Sequence, residues 1–119
     1  MCGIVGAVGH KHCSDVLLDA LKRLEYRGYD SSGIVTIHDS AIALQRAVGK
    51  LVNLDLALKE TPLLGDIGIG HTRWATHGGV STENAHPHVA SGRVAIVHNG
   101  IIENHRTIRA RLEAAGRQF

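Results

Sequence analysis

Cys2 stands directly behind the initiator methionine. A small side chain at the second position permits removal of Met1, which leaves one residue carrying both a thiol and a free α-amine. An unperturbed α-amine has a pKa of about 7.7–8.0, so a useful fraction is neutral near pH 7. The neutral amine can take the thiol proton, directly or through one water, as the amine of an N-terminal threonine does for its hydroxyl. The thiolate so formed attacks carbonyl carbon. Read for packing alone, Cys2 is a small residue opening an apolar strand, since free cysteines are commonly buried.

Attack on a carbonyl creates an oxyanion, which needs hydrogen-bond donors. His98-Asn99-Gly100 falls where an apolar run ends and a turn begins. The Asn99 amide and the Gly100 N–H can both donate there, and loss of one such donor costs about 2.7–4 kcal/mol of barrier. Asn-Gly is equally a common turn dipeptide. The stretch His71 to Gly78 sets the single tryptophan, Trp74, beside Arg73. Arg73 can hold a substrate carboxylate through two parallel hydrogen bonds, and Trp74 can cover the site; a surface ion pair and a core tryptophan are the packing alternative. Glu25 to Ser31 reads either as a helix end and turn or as part of the site wall. Nine histidines, among them His71, His77, His86 and His88, raise a metal reading. No HExxH is present and Cys2 and Cys13 do not fall at zinc spacing, so the expectation is a site with no metal.

The elements that must position these residues follow from patterning. Residues 2–8 form an apolar, β-branched run that predicts a strand buried on both faces. Ser14 is placed to cap a helix with Asp15 in its first turn; Leu17, Leu18, Leu21 and Leu24 share one face, and Gly28 stops it. Residues 34–38 and 41–48 read as strands joined by an Asp39-Ser40 turn. Asn53 is placed to cap a weaker helix ending at Glu60, and Pro62 and Gly65 mark a loop. Residues 67–72 read as a strand, 76–92 as a long loop, and 94–97 as a buried strand. Asn104 is placed to cap a last helix with Ile108 and Leu112 inward and Gly116 as terminator.

The composition bounds the rest. The chain has 119 residues, 44% hydrophobic and 20% charged, with a formal net charge of +2. That balance gives no reason to expect nucleic acid or an anionic membrane as partner. No apolar run reaches the roughly 20 residues a membrane span needs. No secretory signal is evident, so both cysteines are expected as reduced thiols in the cytoplasm. Phe119 follows Gly116 almost at once, which reads as a stop inside a domain.

Several stretches together carry a family resemblance: CGIVG at 2–6, LEYRGYDSSG at 24–33, HTRWATHG at 71–78, NAHPHV at 84–89 and HNGIIENH at 98–105. They resemble the class II glutamine amidotransferases, which are N-terminal-nucleophile hydrolases, and within them the branch that aminates fructose 6-phosphate. Other branches read HRGQES or HRGPD where this chain reads YRGYDS. The resemblance implies an α+β fold, a four-layer αββα sandwich, of which residues 1–119 supply the first half. It implies Cys2 as nucleophile and base, Asn99 and Gly100 as oxyanion hole, and Arg73 on the glutamine α-carboxylate. Trp74 becomes a mobile lid, Thr76 and His77 line the amino-acid backbone, His86 lies in the adjoining loop, and Cys13 is structural. It further implies L-glutamine and fructose 6-phosphate as substrates of a homo-oligomeric parent enzyme whose isomerase half is absent here. The acid that grips the substrate α-ammonium falls past residue 119, so the 119 residues alone are expected to be inactive. Two other readings stay open: another amidotransferase or a different N-terminal-nucleophile amide hydrolase, and a non-catalytic metal- or ligand-binding module built on the histidine-rich loop.

Overall fold

The computed structural model describes residues 1–119. In chain order the elements are β1 (Gly3–Val8), α1 (Cys13–Lys22), β2 (Ser31–His38), β3 (Ala41–Val48), α2 (Leu51–Glu60), β4 (Ile67–Arg73), β5 (His88–Ala90), β6 (Val94–Ile96) and α3 (His105–Ala114), with a 3₁₀ turn at Glu25–Arg27. Four strands make one antiparallel sheet in the order β1-β4-β2-β3, and β5 with β6 forms a separate hairpin.

Side chains alternate across a strand, so the register divides the sheet into two unlike faces. Val5 pairs with Gly70, which pairs with Ile34, so these three share one face. Both α1 and α2 pack there. Leu17, Leu18 and Leu21 of α1 close over Ile34 with Leu51 and Leu54 of α2 and with Leu63, and Val5, Ala43 and Ala47 border the cluster. Each leucine fully buried here contributes about 1.5–3 kcal/mol. The other face is unlike it. Val8, Ile37 and Ile67 stand exposed at one end, the loop around His86 covers Gly33 at the other, and Ile4 is exposed beside it on the edge strand.

The Asp39-Ser40 turn is as expected. Both residues take positive φ, +48° and +62°, the backbone that a two-residue hairpin joining β2 and β3 requires. Other boundaries differ from the sequence reading, each for a packing reason. Helix α1 starts at Cys13 with His12 as its cap residue, so Ser14 lies inside it; its hydroxyl donates to Leu63 O at 3.1 Å and ties α1 to the loop before β4. The same happens at α2, whose cap residue is Lys50, and Asn53 instead donates its side-chain N–H to Val48 O at 2.9 Å. Helix α1 ends at Lys22, and the chain passes through the 3₁₀ turn before Gly28 breaks it at φ +76°.

β1 is not buried on both faces. It is an edge strand with one partner, and its residues alternate in burial. Three residues of the expected long loop, His88–Ala90, pair with β6. β6 itself is exposed at Val94 and Ile96, because its one partner is β5. Helix α3 buries no residue fully, and Ile108 and Leu112 are half-buried. Its end does follow expectation: Gly116 takes φ +80° and Arg117 N–H returns to Leu112 O at 2.9 Å.

Candidate active site

Register assembles the centre of the site. Residues 71 and 73 are two apart on β4 and share a face. Gly3 pairs with Thr72, so Cys2 comes to the end of β4 beside Arg73. There the Trp74 backbone N–H donates to Cys2 Sγ at 3.2 Å. Cys2 is a free, half-buried thiol. The turn that delivers Trp74 is clamped by Asp30, whose carboxylate accepts from the Ala75 N–H and the Ser31 hydroxyl while its own N–H donates to Arg73 O. With Met1 in place the Cys2 nitrogen is a peptide amide, and the Met1 ammonium donates to Arg27 O at 2.6 Å and Gly28 O at 3.0 Å.

The guanidinium of Arg73 is buried. It donates to the carbonyls of His77 and Gly79, which holds the 77–79 turn against β4. Five N–H groups belong to a guanidinium, so donors remain for a ligand. Trp74 is exposed, with its ring edge toward Gly28, where an added Cβ would lie 3.5 Å away. Thr76 and His77 are exposed on the same rim.

A second layer lies on the sheet behind them. Gly33 of β2 has no side chain to hold the 83–86 segment off: a Cβ there would sit 2.3 Å from His86 O. Arg46 of β3 donates to Glu83 O at 3.2 Å and Ala85 O at 3.1 Å, which fastens that segment down. His86 is thereby laid on His71, ring centroids 4.4 Å apart and planes 23° off parallel, and His88 tilts against His86 at 4.4 Å. His71 and His86 stack, and His88 packs against His86 at an interplanar angle of 59°. His71 Nε2 meets Asn99 Oδ1 at 2.7 Å, and His86 Nδ1 accepts from the His98 N–H at 3.4 Å.

Asn99 and Gly100 reach the site on the segment after β6. Asn99 Nδ2 donates to Cys2 O at 3.3 Å. Gly100 has φ +148°, and a Cβ on it would come within 3.1 Å of the His98 ring.

Electrostatics keep the imidazole stack neutral at pH 7. Burial pushes His86 down to about 4, helped by His71, His88, Arg73 and His98 around it. Burial also lowers His71, with the Asn99 hydrogen bond pulling the other way. His88 is lowered by burial and then by Arg46 and Arg73. Cys13, by contrast, is fully buried in the α1 core, and burial followed by the Asp66 carboxylate raises its thiol.

All eight residues singled out in the sequence — Cys2, Arg73, Trp74, Thr76, His77, His86, Asn99 and Gly100 — line one cavity of about 610 Å³. That volume lies within the range of small-molecule sites. His86 enters it differently from the others, as a ring packed on His71. The sequence marks His71 only as a metal candidate and does not foresee its contact with Asn99. The alternation of β4 does place it on the face of Arg73, but its bond to Asn99 spans 28 residues and depends on how the segment after β6 folds back.

No family model matches the chain. Over all 119 residues it is 60% identical to the glutamine–fructose-6-phosphate aminotransferase (isomerizing) of Mesorhizobium japonicum, of which it covers 19%. The chain thus spans about a fifth of the length of that curated relative. Two solved structures match the whole chain. The allosteric regulatory enzyme of purine biosynthesis does so with a TM-score of 0.84 and 26% identity, over 26% of its own chain. The glutamine phosphoribosylpyrophosphate amidotransferase of B. subtilis, complexed with ADP and GMP, does so with a TM-score of 0.81 and 25% identity, also over 26% of its chain. The fold matches that of the N-terminal-nucleophile amidotransferase domains, here with one four-stranded sheet and a helical layer on one of its faces.

Proposed function

We propose that this chain is the glutamine-hydrolysing head of an enzyme that converts L-glutamine and fructose 6-phosphate to glutamate and glucosamine 6-phosphate, with the Cys2 thiol as nucleophile. The observation that carries the reading is the meeting of Cys2 Sγ, a backbone donor at Trp74 and the Asn99 amide in one cavity with Arg73.

Removal of Met1 frees the Cys2 α-amine. The neutral amine takes the thiol proton, and the sulfur adds to the side-chain carboxamide carbon of glutamine. Asn99 Nδ2–H and Gly100 N–H stabilise the tetrahedral oxyanion. The α-ammonium returns its proton to the departing nitrogen, ammonia leaves, and a glutamyl thioester remains. Water, deprotonated by the same amine, cleaves the thioester to glutamate and restores the thiol. Arg73 holds the α-carboxylate, Thr76 and His77 flank the amino-acid backbone, and Trp74 covers the cavity against water. The scheme needs no metal or organic cofactor. Ammonia passes to fructose 6-phosphate bound elsewhere in a homo-oligomeric parent enzyme. The setting is the cytoplasm, where thiols stay reduced; no helix here is long and apolar enough to cross a membrane.

The test uses a chimera in which these 119 residues replace the matching N-terminal stretch of the M. japonicum relative. The chimera releases ammonia from glutamine, and Cys2→Ser lowers that rate at least a thousandfold. Ammonia release that survives Cys2→Ser contradicts the reading. The isolated 119 residues turn glutamine over at least a hundredfold more slowly than the chimera, because Asn99 and Gly100 sit on a segment, residues 94–119, that buries none of its residues. Equal turnover by the two contradicts that part of the proposal.

A further inference from the structure

We propose that His71 is the positioning residue of the oxyanion hole: its Nε2–H holds the Asn99 carboxamide oxygen and so aims the Asn99 NH₂ group at the carbonyl that Cys2 attacks. This rests on the glutaminase reading above and adds a residue to it.

Asn99 is exposed, so burial does little to fix its side chain. Two hydrogen bonds orient the amide instead, Oδ1 to His71 Nε2 at 2.7 Å and Nδ2 to Cys2 O at 3.3 Å. One Nδ2–H serves Cys2 O, and the second is free for the oxyanion. Turning the amide over would set Oδ1 against Cys2 O, two acceptors face to face, and would present an acceptor where negative charge develops. The useful orientation therefore requires a donor at His71 Nε2. His71 supplies it with its ring proton on Nε2: Nδ1 makes no hydrogen bond within ordinary distance and angle, and the His98 backbone acts on the ring more weakly than the 2.7 Å contact with Asn99 does, so the proton goes where it is bonded best.

The donor is also held still. His71 is fully buried on β4, and its ring is clamped by the stack with His86, which the missing side chain of Gly33 and the Arg46 guanidinium keep on the sheet. A rigid strand thus fixes one member of a pair whose other member sits on a loosely packed segment. Orientation of this kind is what oxyanion stabilisation demands, since the donor must be in place before charge appears.

The test compares three variants of the chimera by steady-state glutaminase kinetics, with the rate of Cys2 alkylation by iodoacetamide as a second readout. His71→Gln carries an NH₂ near the place of Nε2, whereas His71→Asn is too short and His71→Leu has no donor. The proposal requires His71→Asn and His71→Leu to lose about tenfold to a hundredfold in kcat, with KM within about threefold and alkylation unchanged. His71→Gln must regain at least tenfold over His71→Asn. A kcat within twofold of the parent in His71→Asn, a loss confined to KM, or a glutamine variant no better than the asparagine one overturns the proposal. If His71→Leu does not fold, the Gln and Asn pair decides alone. Survival of activity in Cys2→Ser would sink the glutaminase reading; an inactive Cys2→Ser beside a fully active His71→Asn sinks only the role of His71.

Discussion

Arg73 and Asn99 line the same cavity, and in the proposed reaction they act on different parts. Arg73 grips a carboxylate that is charged in ground state and transition state alike, so its loss weakens both equally. A hydrogen bond to a charged group is worth about 1.5–3 kcal/mol. Arg73→Ala in the chimera therefore raises KM for glutamine about tenfold to a hundredfold with little change in kcat. Asn99 meets charge that exists only after attack, so Asn99→Ala lowers kcat about a hundredfold to a thousandfold with little change in KM. Glutamine saturation curves check both, and an exchange of the two patterns contradicts the assignment. At this scale much of the site was legible in the sequence. A thiol behind Met1, an Asn-Gly pair and an Arg-Trp pair carry their chemistry in their own functional groups. His71 was not legible in that way, because its part is a 2.7 Å contact with a residue far along the chain.

Elements place these groups through a few permissive positions. Gly33 is the sharpest case. A methyl group there meets the His86 carbonyl, a backbone atom that cannot swing aside, so Gly33→Ala lifts the 83–86 segment from the sheet and unseats His86 from His71. Overpacking of this kind costs about 1–3 kcal/mol. Expected are a melting temperature lower by at least about 4 °C and glutaminase kcat in the chimera reduced about tenfold. Calorimetry and kinetics together check this, and an unchanged kcat beside a lowered melting temperature would break the link from Gly33 to the site. The sequence marked the β2–β3 hairpin and β4 well, since alternation and a tight turn are local signals. It misplaced the starts of α1 and α2 because Ser14 and Asn53 found partners at Leu63 and Val48, so tertiary contacts used the side chains that capping would have used. It took β1 as doubly buried because an apolar run does not reveal that its strand sits at a sheet edge.

Across the molecule the buried cluster lies on one side of the sheet, and the imidazole stack lies on the other. That asymmetry makes stability depend on pH. His86, His71 and His88 are all held below the ordinary histidine value, so between pH 6.5 and about 4 the unfolded chain binds more protons than the folded one. Stability then falls as pH falls through that window and is level above it. The descent begins above the range in which carboxylates titrate, so urea midpoints measured from pH 7 to 5 isolate it. A midpoint that stays level or rises on acidification over that interval contradicts the neutral stack.

The central claim is that sulfur and a free amine share residue 2 and face the Asn99 amide. Intact-mass and peptide mass spectrometry of the chimera, after treatment with an electrophilic diazoketone analogue of glutamine, tests it most directly. The account predicts that Met1 is absent and that one adduct forms, on Cys2, as activity is lost. A retained Met1 in active protein, or inactivation with the adduct on Cys13 instead, would contradict it.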